Sequence, residues 1–212
     1  MEDQQNVAKK LKSRTKLNAR KRTYYQFRTP SVNTYLGCEI RQHLPILFSE
    51  HITNVIDVLG DGHCGFRVVG QALGKGPDWA QVRKDLYTEL ENYKSLYDEM
   101  FGDIRRTQLL QSLDCKETPT PVEKWMTLPD MGLIIASCYN VAVVELSNDQ
   151  CFTFLPLHSV PPPMPKLICV GFINGNHFVL VGLSENCPLP QIFSPWSRFH
   201  EQNADTWASL YM

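Results

Sequence analysis

Residues 57–67 read DVLGDGHCGFR and residues 174–180 read NGNHFVL. The first stretch sets a thiol, Cys64, behind Asp61, Gly62 and His63 and ahead of Gly65, Phe66 and Arg67. The second sets an imidazole, His177, directly after an Asn-Gly-Asn turn and at the head of an apolar run. A thiol attacks a carbonyl as the thiolate, and a free cysteine ionises near pH ~8.5, so little of it is reactive at neutral pH. Lowering that value to about 6 requires roughly 3.4 kcal/mol of differential stabilisation. Two sources are at hand. The glycine-flanked turn places Cys64 at the start of a helix over 65–73, whose unpaired N–H groups and dipole favour an anion. A neighbouring imidazolium would supply the rest.

Six histidines compete for that role. His43, His51, His158 and His200 lie in loops or polar surroundings and read as bystanders on the surface. His63 adjoins Cys64, but consecutive side chains in an extended turn diverge, so it is poorly placed as a base. His177 opens a strand, and a strand start is a rigid platform for a general base. A hydrogen-bonded histidine at a hairpin end remains the other reading of it. The backbone N–H groups of Gly62, His63 and Cys64 can converge on one point, as an oxyanion hole requires, and the glycines let a substrate backbone approach closely. Asp61 either caps the turn or takes a direct catalytic part by orienting the histidine. The chemistry these residues support is acyl transfer.

The elements that must hold them follow from periodicity. Phe66, Val69 and Leu73 mark the first helix face. Asp78 is placed to cap a second helix carrying Trp79, Val82, Leu86 and Leu90. A third helical stretch spans 94–113, 116–124 is a loop, and Asp130 is placed to cap MGLIIASCY. Then the pattern changes: 54–59, 141–146, 151–157, 166–173 and 177–183 read as strands. Ser147-Asn148-Asp149 and Asn174-Gly175 read as hairpin turns. Helices first and strands later imply an α+β fold, a small and mostly antiparallel sheet packed between helices.

The chain has 212 residues, 43% hydrophobic and 20% charged, with a net charge of −1. That suits one domain with flanking extensions: an arm over 1–34, a catalytic domain over 35–185 and a Pro-punctuated extension over 186–212 with a short final helix carrying Trp207 and Leu210. No run approaches the ~18 apolar residues of a membrane span, and no apolar leader opens the chain, so no membrane partner is expected. Seven cysteines, an odd count, read as free thiols in a reducing, intracellular setting, with Cys138, Cys151 and Cys169 as small buried side chains. No spacing suits zinc. KKLKSR and ARKR give the arm two basic clusters, which suit nuclear import, phosphate binding or a solvated leader.

DGHCGFR before a helix, EKWMTLPDMGLIIASCYNVAVVEL in mid-chain and NGNHFVLV near the end resemble, in that order, the ovarian-tumour (OTU) cysteine proteases. The resemblance spans roughly 50–185 and looks closest to the plant and transposon-associated branch, where WMTxPDMG and a CPLP…W tail are familiar. It implies a papain-like, OTU-type fold and a deubiquitinase without cofactor. Cys64 would attack the carbonyl after the last glycine of ubiquitin. His177 would carry the proton to the leaving amine, and the 61–64 loop would form the oxyanion hole. The implied partners are ubiquitin or polyubiquitin chains, or a ubiquitin-like protein, in the cytoplasm or nucleus. Two positions depart from the pattern. His63 replaces the usual Asn, and Val179 stands where many members carry an Asp or Asn that orients the histidine. Orientation would then fall to Asp61, Asn176 or backbone. Two other readings stand beside this one: an OTU fold that binds ubiquitin without turnover, and a transposon-derived protein that meets nucleic acid through its basic arm alone.

Overall fold

The computed structural model describes residues 39–211 and the short strand Thr23–Tyr24. The arm's basic clusters, KKLKSR and ARKR, lie outside the described residues. Thr23–Tyr24 (β1) runs parallel to Lys166–Leu167. The other strands are β2 (Ile52–Ile56), β3 (Ala142–Leu146), β4 (Cys151–Phe154), β5 (Lys166–Ile173) and β6 (His177–Leu183). Sheet order is β2-β6-β5-β3-β4, with β1 joined to β5. The β2–β6, β5–β6 and β3–β4 pairings are antiparallel. The β3–β5 pairing is parallel, because the chain crosses over after β4 to return beside β3.

The helices are α1 (Cys64–Ala72), α2 (Trp79–Asn92), α3 (Lys94–Phe101), α4 (Asp103–Leu113), α5 (Asp130–Tyr139), α6 (Trp196–Phe199) and α7 (Asp205–Tyr211). The architecture is therefore α+β, with α1 against β5 and β6 on one side and α2 on the other. That position explains why α1 buries Phe66, Val68, Val69, Gly70 and Ala72 rather than a single stripe. Asp78 caps α2 as expected, its carboxylate accepting from the Gln81 N–H at 3.1 Å. Two expectations fail locally. The 94–113 stretch breaks at Gly102, which takes φ +78°, a value open to glycine but strained for other residues. Asp130 does not cap α5 with its side chain; the carboxylate binds Arg105, with Nε at 2.8 Å.

Asn174 and Gly175 have φ of +55° and +68°, the positive pair that closes a tight hairpin with the sheet's own twist. The turn sets Ile173 opposite His177. Residues 186–211 contribute to the core: Cys187, Trp196 and Trp207 are buried, and Thr153 exchanges backbone bonds with Gln191 and Phe193 along the β4 edge. Cys169 is buried, while Cys138 and Cys151 are partly exposed. Among the described residues no helix is long and apolar enough to cross a membrane.

Candidate active site

Antiparallel pairing of β2 with β6 carries the end of one strand to the start of the other, with Ile56 opposite Leu180. Asp57, the next residue after β2, thereby meets His177, the first of β6. Their contact is a hydrogen bond of 2.7 Å between His177 Nε2 and Asp57 Oδ1. The imidazole also interacts with the Cys64 side chain, and both line one groove. With Nε2 on the carboxylate, Nδ1 is the nitrogen left for the thiol. Gly60 passes beside that edge of the ring, where an added Cβ would sit 3.6 Å from Nδ1. The His177 pKa is raised to about 9. The adjacent Cys64 is the largest cause, burial opposes it, and Asp57 adds to the rise.

Cys64 opens α1 and is 5% exposed, at the floor of a groove of about 390 Å³. Asp57, Gly60, Gly62, Trp125, Asn174, Asn176 and His177 are among its walls. The loop before Cys64 is tightly fixed. Gly62 holds φ +82°, and a Cβ there would come within 2.6 Å of Trp125 Nε1 and 2.9 Å of the Thr120 carbonyl oxygen. The Thr120 N–H donates to the Asp61 carbonyl at 2.9 Å, and Trp125 Nε1–H donates to the Thr120 carbonyl at 3.1 Å.

Asp61 does not reach His177. Its carboxylate accepts from Arg67 Nη2 at 2.6 Å, from Arg67 Nε at 3.3 Å and from the His63 backbone N–H at 3.0 Å. Burial pushes its pKa upward, but the hydrogen bonds from Arg67 and the His63 amide outweigh that and hold it below the usual value. Asp61 thus braces the loop, and the carboxylate on His177 is Asp57. The same geometry corrects the expected oxyanion donors. The His63 N–H is engaged by Asp61, whereas the N–H groups of Gly62 and Cys64 have no partner among the described residues. Asn176 lines the groove, and its backbone N–H donates to the Ile173 carbonyl at 3.2 Å. Val179, beyond the histidine, is fully buried.

His63 is completely buried, and two histidines expected on the surface are enclosed. His158 is held between Tyr93, which stacks on it at 3.7 Å, and Glu89, 2.6 Å from Nε2. His200 stacks on Trp196 at 3.9 Å and meets Asp205 at 2.6 Å. Among the described residues no group of three or more His, Cys, Asp or Glu side chains is placed to hold a metal ion.

Cys64, His177 and Asp57 bring a thiol, an imidazole and a carboxylate to one groove, beside two amides without a partner among the described residues. Such a set can attack a carbonyl, stabilise the oxyanion and protonate a leaving amine. No family model matches the chain, and no curated protein matches it in sequence. Among solved structures, it is similar to the viral OTU domain protease from Dera Ghazi Khan virus, with a TM-score of 0.43 and 12% identity over 65% of this chain and 84% of that one.

Proposed function

We propose that the protein is a thiol hydrolase of the deubiquitinase type, cleaving the peptide or isopeptide bond after the C-terminal glycine of ubiquitin. One observation supports the chemistry: His177 is hydrogen-bonded to Asp57 and lines the same groove as Cys64, with which it interacts. In this reading an imidazolium and a helix N-terminus favour the thiolate of Cys64. The thiolate adds to the carbonyl, and the Gly62 and Cys64 amides receive the developing oxyanion. His177 passes its proton to the leaving amine, then draws one from the water that releases the acyl-enzyme. Asp57 keeps the ring in the required tautomer.

Ubiquitin as substrate rests on the motif resemblance, as does the transposon-associated branch. The groove is compatible with it, since Gly60 and Gly62 lend the site no side chains to obstruct an extended, glycine-ended tail. Asp57 supports turnover over a binding-only role, because it fills the orienting function that Val179 cannot. The test is a ubiquitin probe bearing a C-terminal electrophile. Wild type is expected to form a covalent adduct and Cys64→Ala none. An unlabelled wild type, at enzyme in large excess over probe, would rule the proposal out.

A further inference from the structure

The side chain of His63 takes no part in the chemistry above, yet it is fully buried next to the nucleophile. Two segments hold its ring, α2 and the loop 117–120. Trp79, at the start of α2, stacks on it with centroids 3.5 Å apart and planes 10° from parallel. The Glu117 carbonyl oxygen lies 2.9 Å from Nε2, and Thr120 Oγ1 lies 2.6 Å from the same nitrogen. Arg83, from within α2, donates from Nε to Nδ1 at 3.1 Å. A guanidinium can only donate. Nδ1 therefore accepts, Nε2 carries the hydrogen toward the Glu117 carbonyl, and the ring is neutral.

Arg83 is itself 2% exposed. It also donates to the carbonyls of Ser112 at 2.7 Å and Lys124 at 2.9 Å, and it lies 3.9 Å over the ring of Phe66. One cation thus ties α2 to the end of α4, to the residue before Trp125 and to the residue before Cys64. The charged and titratable groups around His63 are Arg83 from α2, Asp61 and Arg67 from the loop and α1, and Cys115, whose Sγ lies 3.9 Å from the Thr120 hydroxyl that meets the ring. Asp61 is already engaged by Arg67. A proton on Nδ1 would displace the Arg83 donor and set two cations 3.1 Å apart. Burial lowers the His63 pKa below its usual value, the Glu117 carbonyl opposes this, and Arg83 adds to it.

We infer that His63 is a positioning residue whose neutral ring, fixed in its Nε2–H form by Arg83, holds the loop presenting Gly62 and Cys64, and that protonation of the ring releases that loop. The geometry stands alone; its consequence for catalysis rests on the thiol-hydrolase reading. The test uses the full chain with labelled histidine and two readouts that need no substrate. Long-range nitrogen–proton NMR should show His63 as the Nε2–H tautomer, still neutral below the ordinary histidine range. Alkylation of Cys64 by chloroacetamide, normalised to each variant's own plateau, should steepen where His63 begins to titrate. The fall there should be about 100-fold per pH unit in wild type and about tenfold in His63→Asn, which keeps an oxygen for Arg83 but cannot titrate. An Nδ1–H tautomer, or superimposable profiles for the two proteins, would overturn the inference. Should His63→Asn not fold, Arg83→Gln serves instead: it removes the cation and is expected to raise the His63 titration, and an unmoved titration counts against the inference. If a ubiquitin probe fails while both readouts behave as stated, the substrate assignment falls and the positioning role stands.

Discussion

Replacing Asp57 tests the catalytic assignment most directly. The hydrogen bond from His177 to its carboxylate is 2.7 Å long, and the Asp57 side chain is 40% exposed. A hydrogen bond to a charged group contributes about 1.5–3 kcal/mol when shielded from water. Solvent screening at this exposure places the value at the low end, about 1.5 kcal/mol. Asp57→Ala should therefore slow Cys64 alkylation and ubiquitin-amide turnover about tenfold. Asp57→Asn retains an acceptor oxygen for Nε2 and should cost less, about threefold. Because Asp57 helps to raise the His177 pKa to about 9, the alkaline edge of the alkylation profile should also move down in both variants. Asp61→Ala is the comparison. It breaks an ion pair whose partners are 15% and 9% exposed, so its rate loss should come with a lower Tm. The assignment of Asp57 fails if Asp57→Ala stays within twofold of wild type while Asp61→Ala loses tenfold or more at unchanged Tm.

Three further outcomes are expected. Gly62→Ala meets both a φ of +82° and an indole nitrogen at 2.6 Å, and should cost about 1–3 kcal/mol in chemical denaturation together with most of the Cys64 alkylation rate. Val179→Asp restores the residue type common in the OTU pattern but buries an unpaired carboxylate at a fully enclosed site. It should destabilise by on the order of 3–5 kcal/mol and reduce activity, as thermal melts would show. The last concerns pH. A folded-state His177 pKa of about 9 exceeds the unfolded value of ~6.5, so its stabilisation is complete below that lower value and is lost as pH rises through about 9. Between those limits the Tm of wild type should fall more than that of His177→Gln, and parallel melting curves would contradict the argument.

The placement of Cys64 at a helix start and of His177 at a strand start was legible because each stands where a turn meets a regular element, and turn chemistry is local. Asp57 was not. It lies 120 residues from His177, and only the β2–β6 pairing brings the two together. A trace existed in the sequence, an acid directly after a short apolar strand, but its meaning depends on which strand lies alongside. Asp61 stood between a turn brace and a catalytic part because its partner, Arg67, sits one helical turn into α1, and only the folded loop shows that it braces. The α+β class and the extents of β5 and β6 followed from periodicity. The parallel placement of β3 beside β5 did not, since sequence spacing carries no strand order. His158 and His200 lie in loops or polar surroundings and so read as surface bystanders; stacking on Tyr93 and Trp196 encloses them instead.

The separation of Asp57 and Cys64 from His177 also bears on synthesis. A ribosome adding ~5–20 residues per second takes about 6–24 s to span the 120 positions between Asp57 and His177. Throughout that interval the nascent chain holds the thiol without the imidazole. His177 arrives at the head of the strand that β2 and β5 both need as a neighbour, so the event that completes the centre of the sheet is also the one that brings the imidazole to the groove of Cys64.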